Sequence, residues 1–315
     1  MSTVDSSSLP GRISFERSDQ IKTAIVVAAF VAVFWELLDF FPVGGLGSLV
    51  WRWVHESDWS HGPIIPLFSV YLVYLHWDRI KRCPVKYTWV GLILLLAGLS
   101  LYLYALSFLM IGYARPVAMM ITLLGVIIYL CGLPVMRYAW LPWLYLFFAI
   151  PIPRRIYFML TDPLQRLAAV VSCSVLEVIP GLTLDRDGIK IFPYVNGVSA
   201  GELSVTDACS GMRSTMVLCA LGVAVAFMSP RPWWHRAVLL GSCVPIATAC
   251  NAVRVAVTSL LHVYVGPKYA TGTYHTALGL VVILLATGIF LGIGWALNHL
   301  FVEETGDETA AERAG

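Results

Sequence analysis

The chain has 315 residues, of which 58% are hydrophobic and 13% charged, with 21 Lys and Arg against 19 Asp and Glu. Mean hydropathy is +0.77. Soluble domains carry about 25% charged residues, so the composition excludes an ordinary soluble enzyme and describes an integral membrane protein. A net charge of +2 with no basic run offers nucleic acid no footprint.

Residues 1–22 form a polar N-terminal tail, expected to be cytoplasmic and disordered as far as Gln20. It does not read as a signal peptide, because no cleavable small-residue site follows the first apolar run. A crossing needs about 20 apolar residues. Eight runs are read as spans: Thr23–Phe41, Ile64–Trp77, Trp89–Leu109, Pro116–Leu133, Tyr138–Ile150, Met212–Met228, Ala237–Leu261 and Thr276–Phe301. The expected fold is therefore an all-α polytopic membrane protein of about eight transmembrane helices occupying residues 23–301. Residues 302–315 form an acidic tail. Glu36 and Asp39, near the end of the first span, are expected to face water or the bundle. The stretch His55–His61, "HESDWSH", holds metal-type residues at irregular spacing and reads as a polar outer loop, not as a metal site.

A ninth run, Pro163–Ile179, is ambiguous. It follows "IPIPRR", carries Asp162, Gln165 and Arg166 at its start, and either crosses or lies at the interface as an amphipathic or re-entrant helix. The choice decides topology. The loop Asp78–Tyr87 holds Arg79, Lys81, Arg82 and Lys86, so it belongs on the cytoplasmic side. With Pro163–Ile179 not crossing, Arg137, Arg231 and Arg236 also fall inside and residue 209 lies outside; Arg154 and Arg155 count against that assignment. A crossing run would reverse the later sides. The non-crossing assignment is the one adopted.

Leu182–Thr206 alternates apolar and polar residues and is broken by Asp-Gly and Asn-Gly, which are hairpin signals. It reads as a small extracytoplasmic β-hairpin element, either a surface cap or an edge for strand addition by an extended substrate.

The stretch "TDACSGMRS", Thr206–Ser214, then packs an acid, a thiol, a hydroxyl, a glycine and an arginine into the mouth of an apolar span. Arg213 lies four residues after Cys209, on the same face of a helix. A cation and a helix N-terminus both favour thiolate. Ser210 is the alternative nucleophile and lacks a neighbouring base. Of seven cysteines, Cys209 alone sits among several polar groups, and no pair has disulfide or zinc spacing. In "CNAVRVAVTSLLH", Asn251, Arg254, Thr258 and His262 fall on one helical stripe inside an apolar span. An arginine there is costly and marks a functional site; Asn251 and Thr258 are expected to pack helices and orient it. Counted from Ala237, Arg254 lies about 25 Å along the helix, near the outer surface. His275 opens the last span from that side. His262 lies at similar depth, so position alone does not choose between the two histidines. A thiol, an imidazole and a guanidinium at the outer ends of the last three helices suit nucleophilic acyl transfer.

These residues resemble the exosortase/archaeosortase family of multi-pass transpeptidases. "DACSGMR", Asp207–Arg213, matches its (E/D)ACSG-x-R box, with Asp207 where glutamate is commoner. "NAVR", Asn251–Arg254, matches its N-x-x-R box, and "HTALG", His275–Gly279, its last-helix histidine with glycine four on. "SHGPIIPLFSVYLVY", with His61 and Gly62, and "PWLYLFFAIPIPRRIYFMLTDPLQRLAA" resemble its early and middle segments, so the likeness covers Ser60–Leu291. The resemblance implies Cys209 as nucleophile, Arg254 as oxyanion or thiolate partner and His275 as acid/base, with Arg213, Asn251 and Asp207 in support. It implies a multi-pass protein of the cytoplasmic (inner) membrane with an outward-facing site. It also implies exported protein substrates that carry a C-terminal motif, a transmembrane helix and a basic tail. No cofactor, metal or nucleic acid is called for; the bilayer is the other partner. The rival classes are a transporter, which would use the arginines for an anionic solute, and a membrane scaffold. A transporter would be expected to show paired broken helices in repeated halves, and the sequence contains no such repeat.

Overall fold

A computed structural model describes residues 17–39, 48–84, 88–108, 113–204, 211–228, 232–266, 268 and 272–300. The tails before residue 17 and after residue 300 therefore lie outside the described residues, as do Asp207, Cys209 and Ser210. The fold is mostly helical, and its contacts divide it into two compact units, Met1–Phe158 and Met159–Gly315.

The first unit carries α1 (Arg17–Val33), α2 (Trp35–Leu38), α3 (Leu49–His55), α4 (Ile64–Leu75), α5 (Trp77–Ile80), α6 (Trp89–Ser107), α7 (Ala114–Cys131) and α8 (Leu133–Tyr145). α1 starts at Arg17, so the last residues of the polar N-terminal segment are helical and not disordered. Glycine sets the closest contact in this unit. A Cβ on Gly91 would lie 2.2 Å from the Tyr129 nitrogen, and one on Gly125 would lie 2.3 Å from the Leu95 nitrogen. α6 and α7 thus meet backbone to backbone and antiparallel, the small-residue packing that replaces hydrophobic drive in lipid. Phe34, Leu37, Leu49, Tyr102 and Ala118 fill the adjoining core. Glu36 faces Arg115 at 3.8 Å. His61 is buried, with Nε2 3.2 Å from the Phe148 carbonyl. Gly62 lies under the Trp53 indole, which itself donates to the Ala149 carbonyl. His61 and Gly62 therefore sit in a tightly packed corner of this unit. Within "HESDWSH", His55 bonds the Trp51 carbonyl and Asp58 accepts from Tyr157.

α9 (Arg154–Leu176) leads into the second unit. It starts nine residues before Pro163, because Pro153 already supplies its first carbonyl, to Tyr157 N. Its buried face mixes Thr161, Gln165 and Ser172 with Ala168, Ala169, Cys173 and Leu176, and its exposed face mixes Met159, Leu160, Leu167, Val170, Val171 and Val175 with Asp162 and Arg166. Ser172 Oγ donates to the Ala252 carbonyl, and beside this crossing lies an apolar groove of about 1060 Å³.

A four-stranded antiparallel sheet follows: β1 (Leu182–Asp187), β2 (Lys190–Val195), β3 (Val198–Ser199) and β4 (Leu203–Ser204). β1 runs along one edge of β2, and β3 and β4 share the other. Asn196 and Gly197, at φ 49° and 82°, make the two-residue turn between β2 and β3, the type I′ geometry that Asn-Gly favours. Ile191 is fully buried among Ala168, Ala169, Cys173, Ala252 and Val255, so the sheet is anchored on two helices. Lys190 pairs with Glu202 at 2.7 Å, and this hydrogen bond and charge raise the lysine pKa above its ordinary value.

Three helices complete the unit: α10 (Met212–Met228), α11 (Trp233–Leu260), extended by a π-helical turn at Leu261–Val265, and α12 (Gly272–Leu300). Leu218, Leu239, Cys243, Ile246, Ala247, Cys250, Val282, Ala286 and Phe290 form their common core.

The span count differs from the sequence expectation. Among the described residues, four helices are long and apolar enough to cross: α6, α7, α11 with its extension, and α12. α8 with its 3₁₀ extension and α9 pass only jointly, bent by 79° at residues 150–153, the form of either a broken span or a re-entrant loop; counted as one span they give up to five. Of the eight runs expected, the first is helical and apolar only over Thr23–Val33, the second is the 12-residue α4, and the sixth is the 17-residue α10. At 1.5 Å per residue, 12 residues reach about 18 Å, against about 30 Å of hydrocarbon.

Candidate active site

The site residues that are described lie in the second unit, at one end of α10, α11 and α12. α10 opens on Gly211, whose φ is +74°. A Cβ there would lie 2.9 Å from Asn251 Cγ. The Gly211 carbonyl accepts from both the Thr215 amide and the Thr215 hydroxyl at 2.9 Å. Gly211, which follows Cys209 by two positions in the sequence, is therefore held against Asn251. Arg213 lies in the first turn of α10, half-buried.

α11 supplies the stripe. Asn251, Arg254 and Thr258 are 2%, 7% and 4% exposed. Arg254 Nη2 lies 2.8 Å from His275 Nε2 and 3.5 Å from the His275 carbonyl. A guanidinium only donates. His275 Nε2 is therefore the acceptor, and the ring is the neutral tautomer with its hydrogen on Nδ1. Gly279 lies one turn further along α12. A Cβ there would stand 3.1 Å from Nη2 and 3.3 Å from Cζ of Arg254. The glycine four residues after the histidine is thus the surface on which the guanidinium rests.

Two expectations about this stripe change. Thr258 does not orient Arg254: its Oγ1 is buried and has no hydrogen-bond partner. The two histidines are told apart by geometry. His275 is on Arg254, whereas His262 lies two turns further along α11, in the π-turn, with Nε2 buried and unbonded. A Cβ on Gly201, at φ +99° between β3 and β4, would lie 3.5 Å from that nitrogen. The approach of Gly201 to His262 has no sequence signature, because it depends on how the sheet sits on α11. Among the described residues no three His, Cys, Asp or Glu side chains are grouped to hold a metal, and the six described cysteines are free.

Three segments far apart in sequence thus meet on one face of α11. Gly211 contacts Asn251, His275 and Gly279 hold Arg254, and Gly201 abuts His262. No curated protein and no solved structure matches the chain. The profile of the transmembrane exosortase family (Exosortase_EpsH) matches residues 53–292, about three quarters of the length and all of these contacts, and the chain belongs to that family.

Proposed function

We propose that this exosortase-family protein is a membrane-embedded cysteine transpeptidase that cleaves the C-terminal sorting signals of exported proteins and transfers them to an acceptor. Its site opens on the outer face of the cytoplasmic membrane. The observation that carries the reading is the Arg254–His275 contact resting on Gly279, with Gly211, two residues from Cys209, docked at Asn251 on the same helix.

In the proposed cycle His275 Nε2 takes the proton of the Cys209 thiol, and the thiolate so formed attacks the scissile carbonyl. Arg254 donates to the oxyanion that forms. His275 delivers a proton to the leaving amine as the C–N bond breaks, and a thioester remains. An acceptor nucleophile attacks the thioester, gives its proton to His275 and releases the thiolate. His275 Nε2 is occupied by Arg254 in the resting geometry, so proton handling there requires Arg254 to turn from the histidine to the oxyanion. Arg213 and Asn251 support the site, and Asp207 completes the box that carries the thiol. Neither cofactor nor metal is needed for this chemistry.

The test is C-terminal trimming of a reporter that ends in a motif, a transmembrane helix and a basic tail from the same genome, followed by immunoblot at matched expression. The unsubstituted protein is expected to trim, and Cys209→Ala, Arg254→Ala and His275→Ala are expected to lose trimming by at least about 100-fold. Persistent trimming by Cys209→Ala sinks the mechanism. Transport or scaffolding would survive that substitution.

A further inference from the structure

Beyond Arg254, the stripe on α11 continues with two polar groups to which the reaction above gives no task. Thr258 is 4% exposed, and its Oγ1 is buried without a hydrogen-bond partner. His262 Nε2, one turn on, is likewise buried and unbonded. Native proteins rarely leave buried polar atoms unpaired, because each costs its desolvation without return. Neighbouring polar side chains do satisfy themselves: Ser259, beside Thr258, donates to the Val255 carbonyl, and Thr215 donates to the Gly211 carbonyl. Thr258 could make the same bond to its own helix and does not. A π-turn, a costly local form that recurs at functional sites, begins at Leu261 and carries His262. Gly201 brings sheet backbone against the same nitrogen without a side chain in the way.

We propose that Thr258 and His262 line the subsite that receives the extended main chain of the substrate next to the cleaved bond; this rests on the transpeptidase reading. Spacing selects the occupant. Residues four apart on a helix place their side chains about 6 Å apart along its axis. Alternate residues of an extended chain repeat every 6.6–6.8 Å or so on one face. An extended peptide laid along α11 from Arg254 therefore presents one main-chain polar group to Thr258 and the next on that face to His262. The hydroxyl both donates and accepts, and a neutral imidazole nitrogen does either according to tautomer, so the pair suits amide groups and is indifferent to side-chain identity. Gly201 backbone stands against His262 Nε2 in the resting structure, so entry of the chain requires the Gly201 segment to lift from α11.

The experiment measures trimming of the sorting-signal reporter by the full-length protein in proteoliposomes over a range of reporter densities. It compares the unsubstituted protein, Thr258→Val, Thr258→Ser and His262→Phe. Thr258→Val is expected to raise the half-saturating reporter density about fivefold, one lost hydrogen bond, with turnover at saturation within about twofold. Thr258→Ser restores the original value, and His262→Phe behaves as Thr258→Val or worse. In Cys209→Ala protein, which does not turn over, a photo-crosslinker stepped through the reporter motif is expected to reach Thr258–His262 from alternate positions. Unchanged half-saturation in Thr258→Val and His262→Phe, with trimming intact, overturns the subsite and leaves the transpeptidase reading standing. So do crosslinks that map elsewhere. Failure of the unsubstituted protein to trim overturns both.

Discussion

Gly279 shows how much of this site is set by what a residue lacks. The Arg254 guanidinium occupies the space in which a side chain at 279 would begin, 3.1–3.3 Å from an added Cβ. The crowded atoms are the end of a flexible side chain, so Gly279→Ala is expected to fold and to displace Arg254 from His275. Sub-ångström to ångström misplacement of a positioning group costs up to on the order of 100-fold; trimming is expected to fall about tenfold in Gly279→Ala and further in Gly279→Val, with protein level unchanged by immunoblot. Normal trimming in Gly279→Val would show that the Arg254 position is irrelevant. Gly211 differs, because its φ of +74° is itself unfavourable for a side chain. An alanine there carries about 1–2 kcal/mol of backbone strain in addition to the contact with Asn251. Arg254 and His262 were legible in the sequence from helical spacing, His275 from its place at the start of the last span, and the glycine at 279 from the family box. That Thr258 and His262 are left unbonded was not legible: pairing is a property of the packed neighbourhood, and the sequence carries only the stripe.

The sheet is the element that joins the two ends of this site. Both of its turn signals were readable. Asn196–Gly197 forms the expected I′ turn, and the Asp187–Gly188 signal marks a turn whose two central residues are Gly188 and Ile189, between the paired Asp187 and Lys190. The lengths of α1, α4 and α9 were not readable, because apolar composition continues through residues whose backbone breaks the helix or begins it early. Phe34 interrupts the first run, and Pro153 starts α9 ahead of an internal proline. Ile191 pins β2 between α9 and α11 at 0% exposure. Ile191→Ala removes three buried carbons and is expected to cost about 2–4 kcal/mol. The loss should appear first as protease cleavage near the Asp187–Gly188 turn, at temperatures where the helical part stays folded. A variant whose turn resists protease as well as the parent would show that the sheet is held by something other than Ile191.

At the scale of the whole molecule, the question is which side of the membrane the site faces. α10, α11 and α12 alternate in direction, so Gly211 at the start of α10, Thr258 near the end of α11 and His275 at the start of α12 share one end. The last turn of α10 and the first turn of α11 lie at the other. That other end carries Trp233, which is 80% exposed, and Arg236, stacked over the Phe227 ring at 5.5 Å. An exposed tryptophan marks an interface of either side, so the arginine alone speaks to side, positive charge being enriched in cytoplasmic loops. The argument uses this helical trio alone, so it holds whether the chain makes four crossings or five. In a Cys209→Ala background, Asp187→Cys in the sheet is expected to react with a membrane-impermeant maleimide on intact spheroplasts. Trp233→Cys should react only after permeabilisation. The reverse pattern would place the Arg254–His275 pair in the cytoplasm, where a sorting signal at the outer face of the membrane could not reach it. The transpeptidase reading would then fail even if every residue of the site proved essential.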